Sequence, residues 1–174
     1  MELNEVYYYT ATIVDWFPLL RADKFKQIVM DSLMYLVKKD KIKVYAFVIM
    51  PNHIHLIWSQ LDMNGKEKPT ASFMKFTGHQ FLDELRNTDD ALLARFKTEE
   101  NNRNHQFWQR NALPIRILDR KMLEQKMDYI HLNPLQQHWN LTDDPNKYHF
   151  SSCSFYEQDD RKFSWLTHYM DLFE

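Results

Sequence analysis

Residues 42–59 read IKVYAFVIMPNHIHLIWS, two runs of β-branched, aromatic and aliphatic residues broken only by Pro51-Asn52. Side chains of this kind favour a pleated, half-buried surface, and Pro interrupts a ladder because it has no N–H to donate. The stretch therefore divides into a strand over 42–50 and another over 53–59. The near-continuous apolar content of the second run predicts a central place in its sheet.

The neighbouring segments extend the pattern. Upstream, VYYYTATIV (6–14) reads as a first strand, 15–20 as a turn holding Trp16, Phe17 and Pro18, and 22–39 as a helix. Asp23 is placed to cap that helix, and Phe25, Ile28, Val29, Leu33, Leu36 and Val37 recur at helical spacing. Downstream, 61–69 is a polar loop, and 70–87 is a helix carrying Phe73, Phe76, Phe81, Leu82 and Leu85. Residues 87–106 are a charged, Asn-rich insert with one apolar patch, 91–96. LPIRIL (113–118) reads as a fourth strand. A third helix covers 119–132, capped by Asp119 and stopped ahead of Asn133-Pro134, because Pro disfavours helix in the residue before it. Residues 135–174 show no period and should drape over the core. The order β-α-β-β-α-β-α predicts an α+β fold, a ferredoxin-like split βαβ arrangement with an antiparallel sheet and helices on one face.

Composition narrows the function. The 174 residues suit one domain, with a core over about 6–156 and a tail over 157–174. Only two Gly occur, Gly65 and Gly78, which excludes a Walker-type phosphate loop and a dinucleotide fingerprint. No nucleotide cofactor is expected. The lone Cys153 builds neither a disulfide nor a thiolate zinc site, consistent with a cytoplasmic protein. No apolar run is long enough for a membrane span. Net charge is −2, so any nucleic-acid surface has to be local.

Two constellations bear chemistry. On a strand, side chains alternate, so His53 and His55 share a face and can converge on one divalent ion. Spacing alone is weak support, since a chain with 8 His carries roughly 0.4 His-x-His pairs by chance. A half-buried, hydrogen-bonded pair is the plain alternative. On the third helix, Leu123, Met127 and Ile130 form the core stripe, while Met122, Lys126, Tyr129 and Asn133 lie beside it. Here the plain alternatives are a packing Tyr and a helix-stopping Asn.

Together these runs carry a resemblance. YAFVIMPNHIHLIW (45–58) resembles the signature of the single-tyrosine HUH transposases, a strand leading into Met-Pro-x-His-hydrophobe-His. FWQRNALPIRI (107–117), QKMDYIHLNP (125–134) and SSCSFY (151–156) resemble the final strand, tyrosine helix and tail of that family. Within it the pattern looks most like the REP-associated tyrosine transposases. The resemblance spans about residues 6–156 and implies the ferredoxin-like fold read above, with a catalytic-tyrosine helix added. It implies Tyr129 as nucleophile and His53, His55 and Asn133 as ligands of Mg2+ or Mn2+. The implied activity is cutting and rejoining single-stranded DNA, at hairpin-bearing element ends, through a 5′-phosphotyrosine, by a mobile or a domesticated transposase. A homodimer is also implied.

DNA contacts are expected where charge gathers. Six basic residues, Arg103, Arg110, Arg116, Arg120, Lys121 and Lys126, face only Asp119 and Glu124 between 103 and 127. Lys126, one turn before Tyr129, is the leading phosphate contact, with Arg110, Arg116 and Lys75 behind it. Phe107 and Trp108 are candidates for stacking on unpaired bases. His131 lies about 160° around the helix from Tyr129 and should stay out of the metal site. Competing functions are a replication initiator or relaxase of the same class, for which 174 residues leave no helicase domain, a water-using metallonuclease, and a non-catalytic nucleic-acid-binding module.

Overall fold

The computed structural model describes residues 1–98, 104–110 and 112–173, the side chain of Arg161 aside. Arg103 and the middle of the 87–106 insert lie outside the described residues. Four strands, β1 (Val6–Thr12), β2 (Ile42–Ile49), β3 (His53–Gln60) and β4 (Leu113–Arg116), form one antiparallel sheet in the order β2-β3-β1-β4. The expected central position of the His-x-His strand is observed. Two helices, α1 (Asp23–Lys38) and α2 (Pro69–Thr88), connect the strands as the split βαβ pattern requires, followed by a single-turn α3 (Asp90–Leu93). The tyrosine helix α4 (Arg120–Leu132) follows β4, and a short α5 (Cys153–Glu157) lies in the C-terminal segment.

The alternation of the strands sorts the core into two layers. Tyr9, Ala11, Ile54, Leu56 and Trp58 face α1 and α2, meeting Phe25, Val29 and Leu33 on one helix and Phe73, Phe81 and Leu85 on the other. The opposite face presents Tyr8, Ala46, Val48 and Ile57 to Leu123, Met127 and Ile130 of α4. A bulge at Tyr45 resets the alternation of β2, so that Val44 faces one layer while Tyr45 and Ala46 face the other. The helices α1 and α2 therefore share one face, and the tyrosine helix covers the other together with Trp139, Leu141, Tyr156 and Tyr169 of the C-terminal segment.

Two local expectations are corrected. Ala22, not Asp23, is the N-cap of α1. Asp23 sits one residue inside and binds the buried Lys26 amine at 2.7 Å. Phe76 of α2 is exposed rather than core. The tyrosine helix ends at Leu132, ahead of Asn133-Pro134 as expected, and Asn133, its C-cap, keeps helical dihedrals (φ −56°, ψ −42°) and opens a 3-10 turn, Asn133–Leu135. That continuation holds the Asn133 backbone one turn beyond Tyr129. The Asp119 cap is as expected, its carboxylate accepting from the Met122 N–H at 2.8 Å.

The C-terminal segment closes the β2 edge. Ile49 donates to the Phe150 carbonyl, Ser152 to that of Phe47 and Thr167 to that of Val44, each at 2.9 Å. Phe163 and Leu166 are buried there. Cys153 is a buried hydrophobe as expected, its thiol pushed up to about 11 by burial. Among the described residues no helix is long and apolar enough to cross a membrane.

Candidate active site

On the α4 face of the sheet, β1 and β3 run side by side with Thr10 opposite His55 and Thr12 opposite His53. The pleat places both imidazoles on this face, with ring centroids 4.7 Å apart. Both rings are buried.

His53 is fixed by its neighbour. The Asn52 amide donates from Nδ2 to the Trp16 carbonyl at 3.0 Å, which leaves Oδ1 to face His53 Nδ1 at 2.7 Å. A carbonyl oxygen can only accept, so Nδ1 carries the proton and Nε2 keeps its lone pair. His55 is fixed by β1. Its Nδ1 lies 2.8 Å from both the Tyr8 and the Thr10 hydroxyls, and its Nε2 is buried without a partner. Burial lowers the pKa of His53 to about 4, with the charge of His138 adding to the effect. Burial likewise takes His55 to about 3, with His53 and Lys126 contributing. Both rings are neutral at physiological pH, as a metal ligand must be. Burial also raises the Tyr8 phenol to about 12, so it remains a hydroxyl beside His55.

The tyrosine helix completes the cluster. The Tyr129 ring lies edge-on to His55, 5.3 Å between centroids, and 6.4 Å from Tyr8, while staying 46% exposed. Asn133 is 1% exposed, and among the described residues neither its Oδ1 nor its Nδ2 has a partner. A buried polar atom left unsatisfied costs about 1–3 kcal/mol, so one orphaned imidazole nitrogen and one orphaned amide on the same layer call for a ligand. Among the described residues no three His, Cys, Asp or Glu side chains gather, so a third donor to any metal held here would be an amide. Two neutral imidazoles and an amide oxygen fit a divalent cation and leave its charge uncancelled, available to a phosphate.

The expected DNA contacts divide by face. Lys126 lies on the site face, its amine 5.0 Å from the Tyr8 ring centre. Arg116 is a correction. Within β4 it pairs with Tyr7, whose side chain points away from the histidines, and its guanidinium grips Glu5 at 2.7 and 2.9 Å. Lys75 lies on α2, behind the sheet, paired with Glu67 at 3.0 Å. Trp108 is a second correction. It is buried against Phe73 and Phe81 with its indole N–H on the Thr77 hydroxyl at 2.9 Å, so its faces are filled by core and cannot receive a base. Phe107 is buried likewise. Arg110 is exposed beside Asp15 and Lys97, in a cleft at the rim of the sheet. His131 stays apart from the site as expected, bonded to the Ser152 hydroxyl at 2.9 Å.

Sequence reasoning missed Tyr8, Thr10 and Asn52, which hold the two imidazoles. The alternation of 6–14 marks Tyr8 and Thr10 as sharing a face, but only strand order and register bring them to His55.

No family model matches the chain, and no curated protein matches it. Among solved structures, one of a REP-associated tyrosine transposase bound to a REP hairpin superposes with a TM-score of 0.61 at 19% identity, over 92% of this chain and 82% of that one. At that identity the likeness establishes a shared fold, the four-stranded sheet with its packed helices.

Proposed function

We propose that this protein is a metal-assisted endonuclease and strand transferase for single-stranded DNA, a transposase or its domesticated counterpart, with Tyr129 as nucleophile. The observation that carries the reading is the meeting, within one chain, of the Tyr129 ring with His55, whose Nε2 is buried and unpaired. The fold shared with a transposase bound to a DNA hairpin supports the same substrate class, including hairpin-bearing ends.

His53, His55 and Asn133 would hold Mg2+ or Mn2+, which when bound neutralises phosphate charge and stabilises the leaving oxygen. Burial keeps the two imidazoles neutral, and Asn52, Tyr8 and Thr10 fix their orientation. Tyr129, half exposed at the rim of this layer, is open to a strand arriving from solvent. Its phenol loses a proton to solvent, and its oxygen bonds to phosphorus. The bond from phosphorus to the 3′ oxygen breaks, and that oxygen takes up a proton. The reverse step, with another 3′ hydroxyl attacking, releases Tyr129 and rejoins DNA without a nucleotide cofactor. A homodimer, which the family resemblance implies, is not needed to complete the site, because Tyr129 and both histidines come from the same chain.

The test incubates the protein with Mn2+ and single-stranded oligonucleotides from the DNA flanking its gene, followed by denaturing electrophoresis. Wild type is expected to give a denaturation-resistant adduct, Tyr129→Phe none, and His53→Ala or His55→Ala little. Cleavage without any adduct would favour a water-using metallonuclease. Binding with neither cleavage nor adduct would favour a non-catalytic module.

A further inference from the structure

Trp16 stands beside the site and takes no part in the chemistry above. It is 60% exposed, the larger part of an apolar indole left in water. Its backbone is unusual as well: Asp15 and Trp16 both adopt left-handed dihedrals, φ 55°, which side chains with a Cβ rarely do. Such strain persists only where neighbours over-determine it. Here the Trp16 N–H donates to the Ile13 carbonyl at 3.0 Å, and the Trp16 carbonyl accepts from Asn52 Nδ2 at 3.0 Å. The same Asn52 side chain orients His53, so one amide ties the position of the indole to that of the imidazole. The Trp16 ring lies 6.3 Å from that of His53, and Trp139 meets His53 at 5.9 Å.

Next to this turn opens a cleft of about 460 Å³, bordered among the described residues by Asp15, Arg95, Lys97 and Arg110, three cations and one carboxylate. An exposed indole held beside a candidate phosphate-handling centre, on a turn whose Asp15 borders a cleft with cations, matches what an unpaired strand needs: a π-face for a base and positive charge for the next phosphates.

We propose that Trp16 is a base-stacking platform for single-stranded nucleic acid. The base adjoining the scissile phosphate lies on the exposed indole, and the backbone beyond it runs into the cleft bordered by Arg95, Lys97 and Arg110. The position of the scissile phosphate rests on the function proposed above, whereas the stacking contact requires no chemistry. Bases in a duplex are already stacked on one another, so the platform selects unpaired strands.

The test uses full-length protein carrying Tyr129→Phe, which cannot form an adduct, and a fluorescent oligothymidylate at low salt. Trp16→Ala in that background is expected to weaken binding about tenfold, while Trp16→Phe stays within about threefold because a smaller aromatic face remains. Mn2+ affinity and melting temperature should not change, and Tyr35→Ala, at an exposed aromatic on α1, should bind as the parent does. Unchanged binding by Trp16→Ala overturns the platform. A parallel loss of Mn2+ affinity also overturns it, since Trp16 would then only position His53. Binding that depends on Trp16, in a protein whose wild type yields no adduct, upholds the platform and removes the strand-transfer function. Failure of the parent protein to bind oligothymidylate at all sinks both.

Discussion

His55 meets two hydroxyls at Nδ1, from Tyr8 and Thr10, and leaves Nε2 buried and unpaired, so its net effect depends on what approaches Nε2. If that is a cation, hydroxyls at the far nitrogen fix the ring and its lone pair, and removing one should lower metal affinity by about 10–100-fold. Tyr8→Phe is therefore expected to weaken Mn2+ binding by about tenfold in calorimetric titration while leaving the circular dichroism spectrum intact. Asn133 makes the opposite kind of prediction. Its amide has no partner among the described residues, so Asn133→Ala should leave metal-free stability nearly unchanged and abolish most of the rise in melting temperature that Mn2+ gives wild type. The shared faces were legible, because His53 and His55 alternate along one strand and Tyr129 and Asn133 are four apart, whereas their roles came from the family resemblance. What holds the imidazoles was not legible, because Tyr8, Thr10 and Asn52 act through register and through the turn at Trp16.

At the scale of elements, α4 carries Tyr129 and leads directly into Asn133, its C-cap, so its anchoring governs the site. Asp119 satisfies one otherwise orphaned N–H at its start. Asp119→Ala should destabilise the protein by about 1 kcal/mol and speed amide exchange in the first turn of α4 without changing α1. The order of elements along the chain was readable from periodicity, since each run had a length and alternation that only a strand or only a helix fits. The faces of β4 were not. LPIRIL suggests buried apolar residues and an outward Arg, yet Leu113 and Ile115 lie exposed on the histidine side, at 69% and 40%, and Arg116 turns to Glu5 behind the sheet. An edge strand with little packed over it obeys weaker rules than a central one. Trp108 shows the converse. A large ring in an otherwise polar stretch invites a surface role, but the gap between Phe73 and Phe81 claimed it for the core.

For the whole molecule, two cores on the two faces of one sheet bury three histidines as neutral rings. His53 and His131 fall to about 4 and His55 to about 3, each chiefly through burial. A base whose folded pKa is depressed binds fewer protons folded than unfolded, so stability falls as pH drops below the ordinary value of about 6.5. A ring at about 4 contributes a loss of about 3 kcal/mol by pH 4. Urea midpoints measured without metal should fall through the window from about pH 6.5 to 4, less steeply in His131→Gln. The chain as a whole carries a net charge of −2, so in the proposed function strand binding would rest on Lys126 at the site and on the cations around the Trp16 turn rather than on bulk charge.

The decisive measurement is peptide mapping of the protein–DNA adduct by mass spectrometry after reaction with Mn2+ and a cleavable single-stranded oligonucleotide. A nucleotide joined through its 5′ phosphate to the peptide containing Tyr129 is the expected result. A nucleotide on any other residue, or cleaved DNA with every peptide unmodified, would contradict the assignment of Tyr129 as the nucleophile beside the His53–His55 pair.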